Sequence, residues 1–104
     1  MKRAMHNVNI SLQVIPISAG TNSYELVDHA IRVIRKSGIV HQVCPMETVM
    51  EGDYDKIMKI IKQAHQAVLD AGAKKVLSVI KVELSASADV SMKAKTAHWQ
   101  NQKA

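Results

Sequence analysis

The amino-acid sequence predicts an α+β fold, a four-stranded antiparallel sheet with two helices on one face. Apolar residues alternate with a period of two in segments 8–15 and 76–84, as they do in strands with one buried face. In segments 23–37 and 57–68 they recur every three or four residues, which is typical of amphipathic helices. Two strand–helix–strand halves of similar length, joined by a turn, specify the βαββαβ ferredoxin-like sandwich. A short C-terminal helix or arm is expected over 89–100.

The first half has clear boundary signals. Val8 to Ile15 is the first strand, and Pro16 is expected to end it by removing a backbone donor. Asn22, followed three residues later by Glu25, forms a capping pair for the first helix. Gly38 is expected to end that helix in a left-handed conformation. Its predicted buried stripe is Val27, Ala30, Ile31 and Ile34.

The second half repeats this order. Segments 39–46 and 48–51 are two strands separated by so short a turn that they should pair antiparallel. Gly52 and Asp53 then give a turn and a helix N-cap. The second helix should end near Gly72. Its predicted buried stripe is Ile57, Ile60, Ile61, Ala64 and Val68.

Size and composition place limits on the class of protein. A chain of 104 residues predicts a single domain, 1–104, that folds without a disulfide or a metal. Phe is absent, so the core must be aliphatic. The single cysteine, Cys44, fits a reducing compartment and a small buried thiol. The N-terminal residues show no leader or membrane-spanning pattern, so we expect a cytoplasmic protein with no membrane partner.

The charged and reactive residues argue against several functions. The net charge is +5, but the basic residues are mixed with acids on helix faces and aromatics are only 3%, so no nucleic-acid partner is expected. None of the five histidines has zinc-ligand spacing, and we predict no metal and no cofactor. Ser78, His41 and Glu51 are the residue types of a Ser-His-acid hydrolase site, but no motif that would position a nucleophile is present in the sequence. The chain is therefore not expected to be an enzyme.

One face of the predicted sheet is left without helices. Ile15, Leu77 and Val79 fall on this open face and make it partly apolar. Such faces are commonly buried against another subunit, so we predict self-association to a dimer or tetramer.

The stretch from Pro45 to Asp53 joins the two halves and has the composition of a pocket. Thr48 and Glu51 place a hydroxyl and a carboxylate beside the apolar Met46 and Met50. The alternative is an ordinary strand pair with polar surface residues.

Several segments resemble the family of small thiamine-binding (hydroxymethylpyrimidine-binding) proteins. These segments are 14–16, 37–39, 45–52, 55–58 and 75–82. The most specific part is Thr48-x-x-Glu51-Gly52 after Pro45-Met46. The resemblance implies a ferredoxin-like subunit, a homotetramer made by joining sheets, and reversible binding of thiamine or its pyrimidine precursor without chemistry. One departure is that the acid and arginine after the fourth strand of many relatives correspond here to Glu83 and Ser85.

The predicted ligand site combines polar groups with apolar walls. An aminopyrimidine offers an amine donor and ring-nitrogen acceptors on a flat apolar plate. Glu51, Thr48 and Ser11 could bind its polar edge, and Met46, Met50 and Ile15 could form the walls. The expected function is a cytoplasmic carrier or sensor of thiamine or hydroxymethylpyrimidine. The alternative is an oligomeric regulatory or interaction module with no small-molecule ligand.

Overall fold

The computed structural model describes residues 5–17 and 22–100. Its elements are β1 (Val8–Ile17), α1 (Ser23–Ser37), β2 (Val40–Val43), β3 (Thr48–Gly52), α2 (Tyr54–Asp70), β4 (Lys75–Glu83) and α3 (Met92–Gln100). The four strands form one sheet in the order β2-β3-β1-β4, and every neighbouring pair is antiparallel. The predicted ferredoxin-like βαββαβ sandwich is confirmed.

An aliphatic core fills the space between the sheet and the two long helices. Val8, Ile10 and Leu12 of β1 point into it at every second position, as a strand with one buried face requires. All five predicted stripe residues of α2 are buried. The stripe of α1 is turned slightly from the prediction, because Leu26 is in the core while Val27 and Ile31 are only half-buried.

Local capping signals set the helix boundaries. The Asn22 side chain accepts a hydrogen bond of 2.9 Å from the Tyr24 N–H at the start of α1. The Asp53 carboxylate accepts one of 2.9 Å from the Lys56 N–H at the start of α2. Gly38, with φ of 77°, closes α1 as predicted. The Asn22 and Asp53 side chains each accept from a backbone N–H that the helix itself leaves without a partner.

β1 does not end at Pro16, contrary to the prediction. The strand continues to Ile17, and Pro16 lies opposite Val76 of β4. The reason is that the pairing with β3 ends at Leu12, opposite Thr48. Beyond Leu12, β1 has β4 alone as a strand neighbour within the described residues, so it behaves as an edge strand, where proline is tolerated.

The C-terminal segment lies across the open face of the sheet. Val90 is buried, and its N–H donates to the Asn7 carbonyl at 3.0 Å. The Asn7 N–H in turn donates to Asp89 Oδ1 at 2.8 Å, and Asn9 Nδ2 donates to the Val90 carbonyl at 3.1 Å. The segment is therefore both an arm, over 89–91, and a helix, α3. Within the described ranges, no helix is long and apolar enough to cross a membrane.

Candidate functional site

A cleft of about 440 Å³ opens where β1 runs on without β3, and we call it the β1–α1 cleft. Its walls are the second half of β1, the N-terminal half of α1 and the turn between β2 and β3. The apolar lining includes Val14, Ile15, Val27, Ile31, Pro45 and Met46. The cleft exists because the early end of the β1–β3 pairing leaves a gap in the sheet that α1 covers only in part. Its volume lies within the range of about 300–1,000 Å³ that is typical of small-molecule sites.

Polar residues line the same cleft on each of its walls. Thr48 lies at its base and is 5% exposed, so its hydroxyl is held at the edge of the core. Gln13 lies on β1, Asp28 on α1, and Glu47 in the turn. The cleft thus combines apolar walls with Thr48 and Asp28, while the Glu47 carboxylate at its rim is paired with Lys81 of the open face. This combination suits a flat heterocycle with a polar edge, and the Asp28 carboxylate favours a cation.

A second, smaller cleft of about 310 Å³ lies on the open face of the sheet, and we call it the open-face cleft. Its lining is Asn9, Ser11, Glu47, Val49, Lys81, Val82, Glu83 and Lys95. Two ion pairs cross its mouth. Lys81 Nζ lies 3.2 Å from Glu47 Oε1, and Lys95 Nζ lies 2.6 Å from Glu83 Oε1.

Glu47 lines both clefts and has a perturbed acidity. The Ser11 hydroxyl, and after it the Lys81 ammonium, lower the pKa of the Glu47 carboxyl below its usual value. Ser11 makes no hydrogen bond of normal geometry, yet it is close enough to Glu47 to act on its charge. Lys81 is paired with β1 at Ser11, so its side chain reaches over the central strand to the turn.

The structure divides the five residues that were predicted to bind one ligand. Thr48 and Met46, the latter 74% exposed, line the β1–α1 cleft. Met50 is fully buried in the core at 0% exposure and offers no surface to a ligand. Ser11 lies on the open face. Glu51 is opposite Asn9 on that same face, so the Thr48 hydroxyl and the Glu51 carboxylate point to opposite sides of the sheet.

Glu51 has a structural partner in the C-terminal segment. Its Oε1 accepts hydrogen bonds from the Met92 N–H at 2.6 Å and from Asn9 Nδ2 at 3.2 Å. A carboxylate that receives the first N–H of a helix also interacts favourably with the helix dipole. Glu51 therefore holds the start of α3 against the sheet.

Several residues of the clefts were missed from the sequence. Glu47 stands directly beside the predicted Thr48, and its position in a Pro-containing turn between two strands was the available signal. Asp28 is exposed and one position from the half-buried Val27, and that neighbour was the signal available for it. Cys44 is partly exposed and lines the β1–α1 cleft, so the predicted buried thiol is wrong. In the part of the chain that the structure describes, no three His, Cys, Asp or Glu side chains group as metal ligands do.

The fold and the β1–α1 cleft define a small ferredoxin-like protein with a cavity of small-molecule size. The model of the thiamine-binding protein family matches residues 10–100. The chain belongs to that family.

Known proteins resemble the chain over most of its length. A UPF0045 protein of Clostridium perfringens is 37% identical over 79 residues, which are 76% of this chain and 83% of the relative. The structure of a domain of unknown function, DUF77, from Bacillus cereus is 34% identical, with a TM-score of 0.86 over 95% of this chain and 93% of that one. A Thermotoga maritima protein, provisionally named for thiamine biosynthesis or salvage, is 24% identical, with a TM-score of 0.81 over 89% of this chain and 98% of that one. At this identity, the Thermotoga protein supports the fold alone.

Proposed function

We propose that the protein binds thiamine or its hydroxymethylpyrimidine moiety reversibly in the β1–α1 cleft, as a cytoplasmic carrier or sensor without catalysis. The observation that carries the proposal is an apolar cleft of about 440 Å³, lined by Thr48 and Asp28, in a chain of the thiamine-binding family. An aminopyrimidine needs a hydrogen-bond donor, an acceptor and apolar walls, and this cleft offers all three.

In this proposal, the apolar and polar residues that line the β1–α1 cleft orient the ligand. The pyrimidine ring lies between Met46 and the half-buried Val27 and Ile31, with its amine toward a carboxylate and a ring nitrogen toward the Thr48 hydroxyl. Methionine suits such a wall because its side chain is flexible and polarisable. The thiazolium cation of thiamine then gains from Asp28, which hydroxymethylpyrimidine alone cannot use. We therefore expect thiamine to bind more tightly than its pyrimidine precursor.

Isothermal titration calorimetry with thiamine and with hydroxymethylpyrimidine tests this proposal. Thr48→Val keeps the shape of the side chain and removes the hydroxyl, so loss of one hydrogen bond of about 0.5–1.5 kcal/mol should weaken binding about two- to tenfold. The matched control is Thr96→Val on α3, whose hydroxyl bonds the Met92 carbonyl away from the cleft. Absence of saturable binding by either compound, or an equal loss in both variants, would reject the proposed site.

A second candidate function is self-assembly through the open face. Ile15, Ile17, Leu77 and Val79 are partly exposed large apolar side chains, and the β1–β4 register places Ile15 directly opposite Leu77 and Gln13 opposite Val79. Apolar patches of this kind are usually covered by another subunit. We propose that this end of the open face joins copies of the chain into a dimer or tetramer.

Sedimentation velocity separates the two functions. Leu77→Lys should shift the protein towards monomer, whereas Leu84→Lys, an equally exposed leucine beyond β4, is the control. If the wild-type protein sediments as a monomer at micromolar concentration, the assembly proposal is rejected while the thiamine proposal is untouched. Oligomers that do not bind thiamine would instead favour the interaction module.

A further inference from the structure

Two buried polar atoms of the open-face cleft are left without hydrogen-bond partners. Asn9 is 4% exposed and Ser11 is 8% exposed, and both line the cleft. Among the described residues, neither Asn9 Oδ1 nor Ser11 Oγ has a partner of normal geometry. Buried polar atoms are nearly always paired in native proteins, so two such atoms two positions apart on one strand indicate that something else completes them.

The orientation of the Asn9 amide is fixed by its other contacts. Its Nδ2 donates to Glu51 Oε1 at 3.2 Å and to the Val90 carbonyl at 3.1 Å, and both partners are acceptors. Rotating the amide by half a turn would place its oxygen against these two oxygens, so that orientation is unfavourable. Asn9 Oδ1 can therefore be satisfied only by a donor.

The neighbouring groups add further acceptors. The lowered pKa of Glu47 is the effect expected of a Ser11 O–H turned towards that carboxylate, which leaves the lone pairs of Ser11 Oγ free to accept. Glu47 and Glu83 contribute carboxylates to the same cleft. The available donors are the ammonium groups of Lys81 and Lys95, and each is already paired with one of these carboxylates.

The two lysines are weakly held. The Lys81 side chain is 70% exposed and that of Lys95 is 43% exposed, and ion pairs between exposed side chains contribute little to stability. Either ammonium can therefore leave the cleft at small cost and release its carboxylate to a competing cation. The lysines act as replaceable counterions, and the fixed part of the site is Asn9, Ser11 and the two carboxylates.

The geometry points to a second ligand site in the open-face cleft, for a small organic cation that presents several N–H donors, such as an amidinium or a protonated amine. Its N–H groups would bond Asn9 Oδ1 and Ser11 Oγ, and its charge would replace Lys81 at Glu47. The site borders the β1–α1 cleft at Glu47, but Asn9 and Ser11 lie on the open face, and the site does not require thiamine to bind.

Three probes of nearly equal shape test the chemical class. Acetamidinium carries only donors and a positive charge, acetamide is neutral with both donors and an acceptor, and acetate carries only acceptors and a negative charge. Amide resonances of the ¹⁵N-labelled chain are followed during each titration. Acetamidinium should saturate the shifts of Asn9, Val49 and Val82 at roughly millimolar concentration, a range set by the small size of the probe. Acetate should not saturate them.

Two substitutions distinguish a cation site from an anion site. Lys81→Met removes the competing ammonium and should tighten acetamidinium binding about two- to fivefold, whereas an anion site would lose affinity. Ser11→Ala should weaken acetamidinium binding at least about threefold, since a hydrogen bond is lost. Ser85→Ala, which removes a hydroxyl from the loop after β4, is the matched control and should have no effect.

The outcomes separate this site from the thiamine site. Resonances of Tyr24 and Val27 report the β1–α1 cleft and should move less with acetamidinium than those of Asn9 and Val49. The inference is overturned if acetamidinium produces no saturable shifts at Asn9 and Val49, if acetate binds equally well, or if Lys81→Met weakens binding. If thiamine does not bind, the expected results for the acetamidinium shifts, the acetate comparison and Lys81→Met stay the same.

Discussion

Adding one methyl group at Gly52 tests how closely the end of β3 packs against Ile39. Gly52 ends β3 with φ of 153°, and a Cβ atom there would lie 2.8 Å from Ile39 Cδ1. Carbon atoms attract best at about 3.5–4.0 Å, so Ile39, which is buried, must move or the backbone must shift. Gly52→Ala should cost about 1–3 kcal/mol for the backbone conformation. Overpacking against Ile39 should add about 1–3 kcal/mol.

Gly38 provides the matched control for this substitution. It also has a positive φ, 77°, but nothing lies within 4 Å of an added Cβ. Gly38→Ala should therefore cost only about 1–2 kcal/mol, the price of the left-handed conformation. The difference between the two variants contains the contact with Ile39 and the difference between the two backbone conformations.

A double-mutant cycle then tests the contact directly. Ile39→Val removes the Cδ1 atom and should by itself cost about 0.5–1.5 kcal/mol. In that background, Gly52→Ala should become about 1–3 kcal/mol less costly, which is the coupling expected of residues in contact. Free energies of unfolding come from urea titrations followed by circular dichroism at one protein concentration, since self-association would change apparent stability. The reasoning is refuted if Gly52→Ala costs no more than Gly38→Ala, or if Ile39→Val does not reduce its cost.

Three further variants test individual polar contacts. Asp53→Ala removes the N-cap of α2 and should cost about 0.5–2 kcal/mol in the same urea titration, whereas Asp53→Asn should cost much less. Glu47 has a lowered pKa in the folded protein, so its ionised carboxylate stabilises the fold above the unfolded pKa, and this stabilisation is lost as pH falls through the folded pKa. Glu47→Gln should therefore make the free energy of unfolding less dependent on pH in that acidic window. Glu51→Gln should speed hydrogen exchange at the Met92 amide, because the charged acceptor of that N–H is lost, and should change thiamine affinity less than about twofold, well under one hydrogen bond. A large loss of thiamine affinity in Glu51→Gln would return that residue to the ligand site.

The elements were predictable from the sequence wherever local signals act. The period of α2, the N-caps Asn22 and Asp53, and the terminating Gly38 all depend on residues within a few positions of one another. The strand length at Pro16 was not predictable in this way. Whether a proline interrupts a sheet depends on which side of the strand has a neighbour, and that is decided by β3, a segment far along the chain.

The ligand site was predicted less well than the fold, and part of the reason was available in the sequence. Thr48 and Glu51 are three positions apart on one strand, so the period of two already places them on opposite faces. The partner of Glu51 could not be inferred, because its contact with Met92 depends on where the C-terminal segment crosses the sheet. The half-buried position of Ile31 likewise depends on the gap beside β1, and the spacing of apolar residues along α1 does not indicate that gap.

The overhang of β1 beyond β3 also leaves main-chain groups beside the cleft without a second strand neighbour among the described strands. From Gln13 to Ile17, β1 pairs with β4 alone among the described strands, and in an antiparallel ladder alternate residues turn their peptide groups away from the neighbour. Peptide groups along this border of the β1–α1 cleft can therefore recognise a ring edge whatever side chains surround them. Related chains could therefore exchange the side chains that line the cleft and still keep the same main-chain hydrogen-bonding groups at its border.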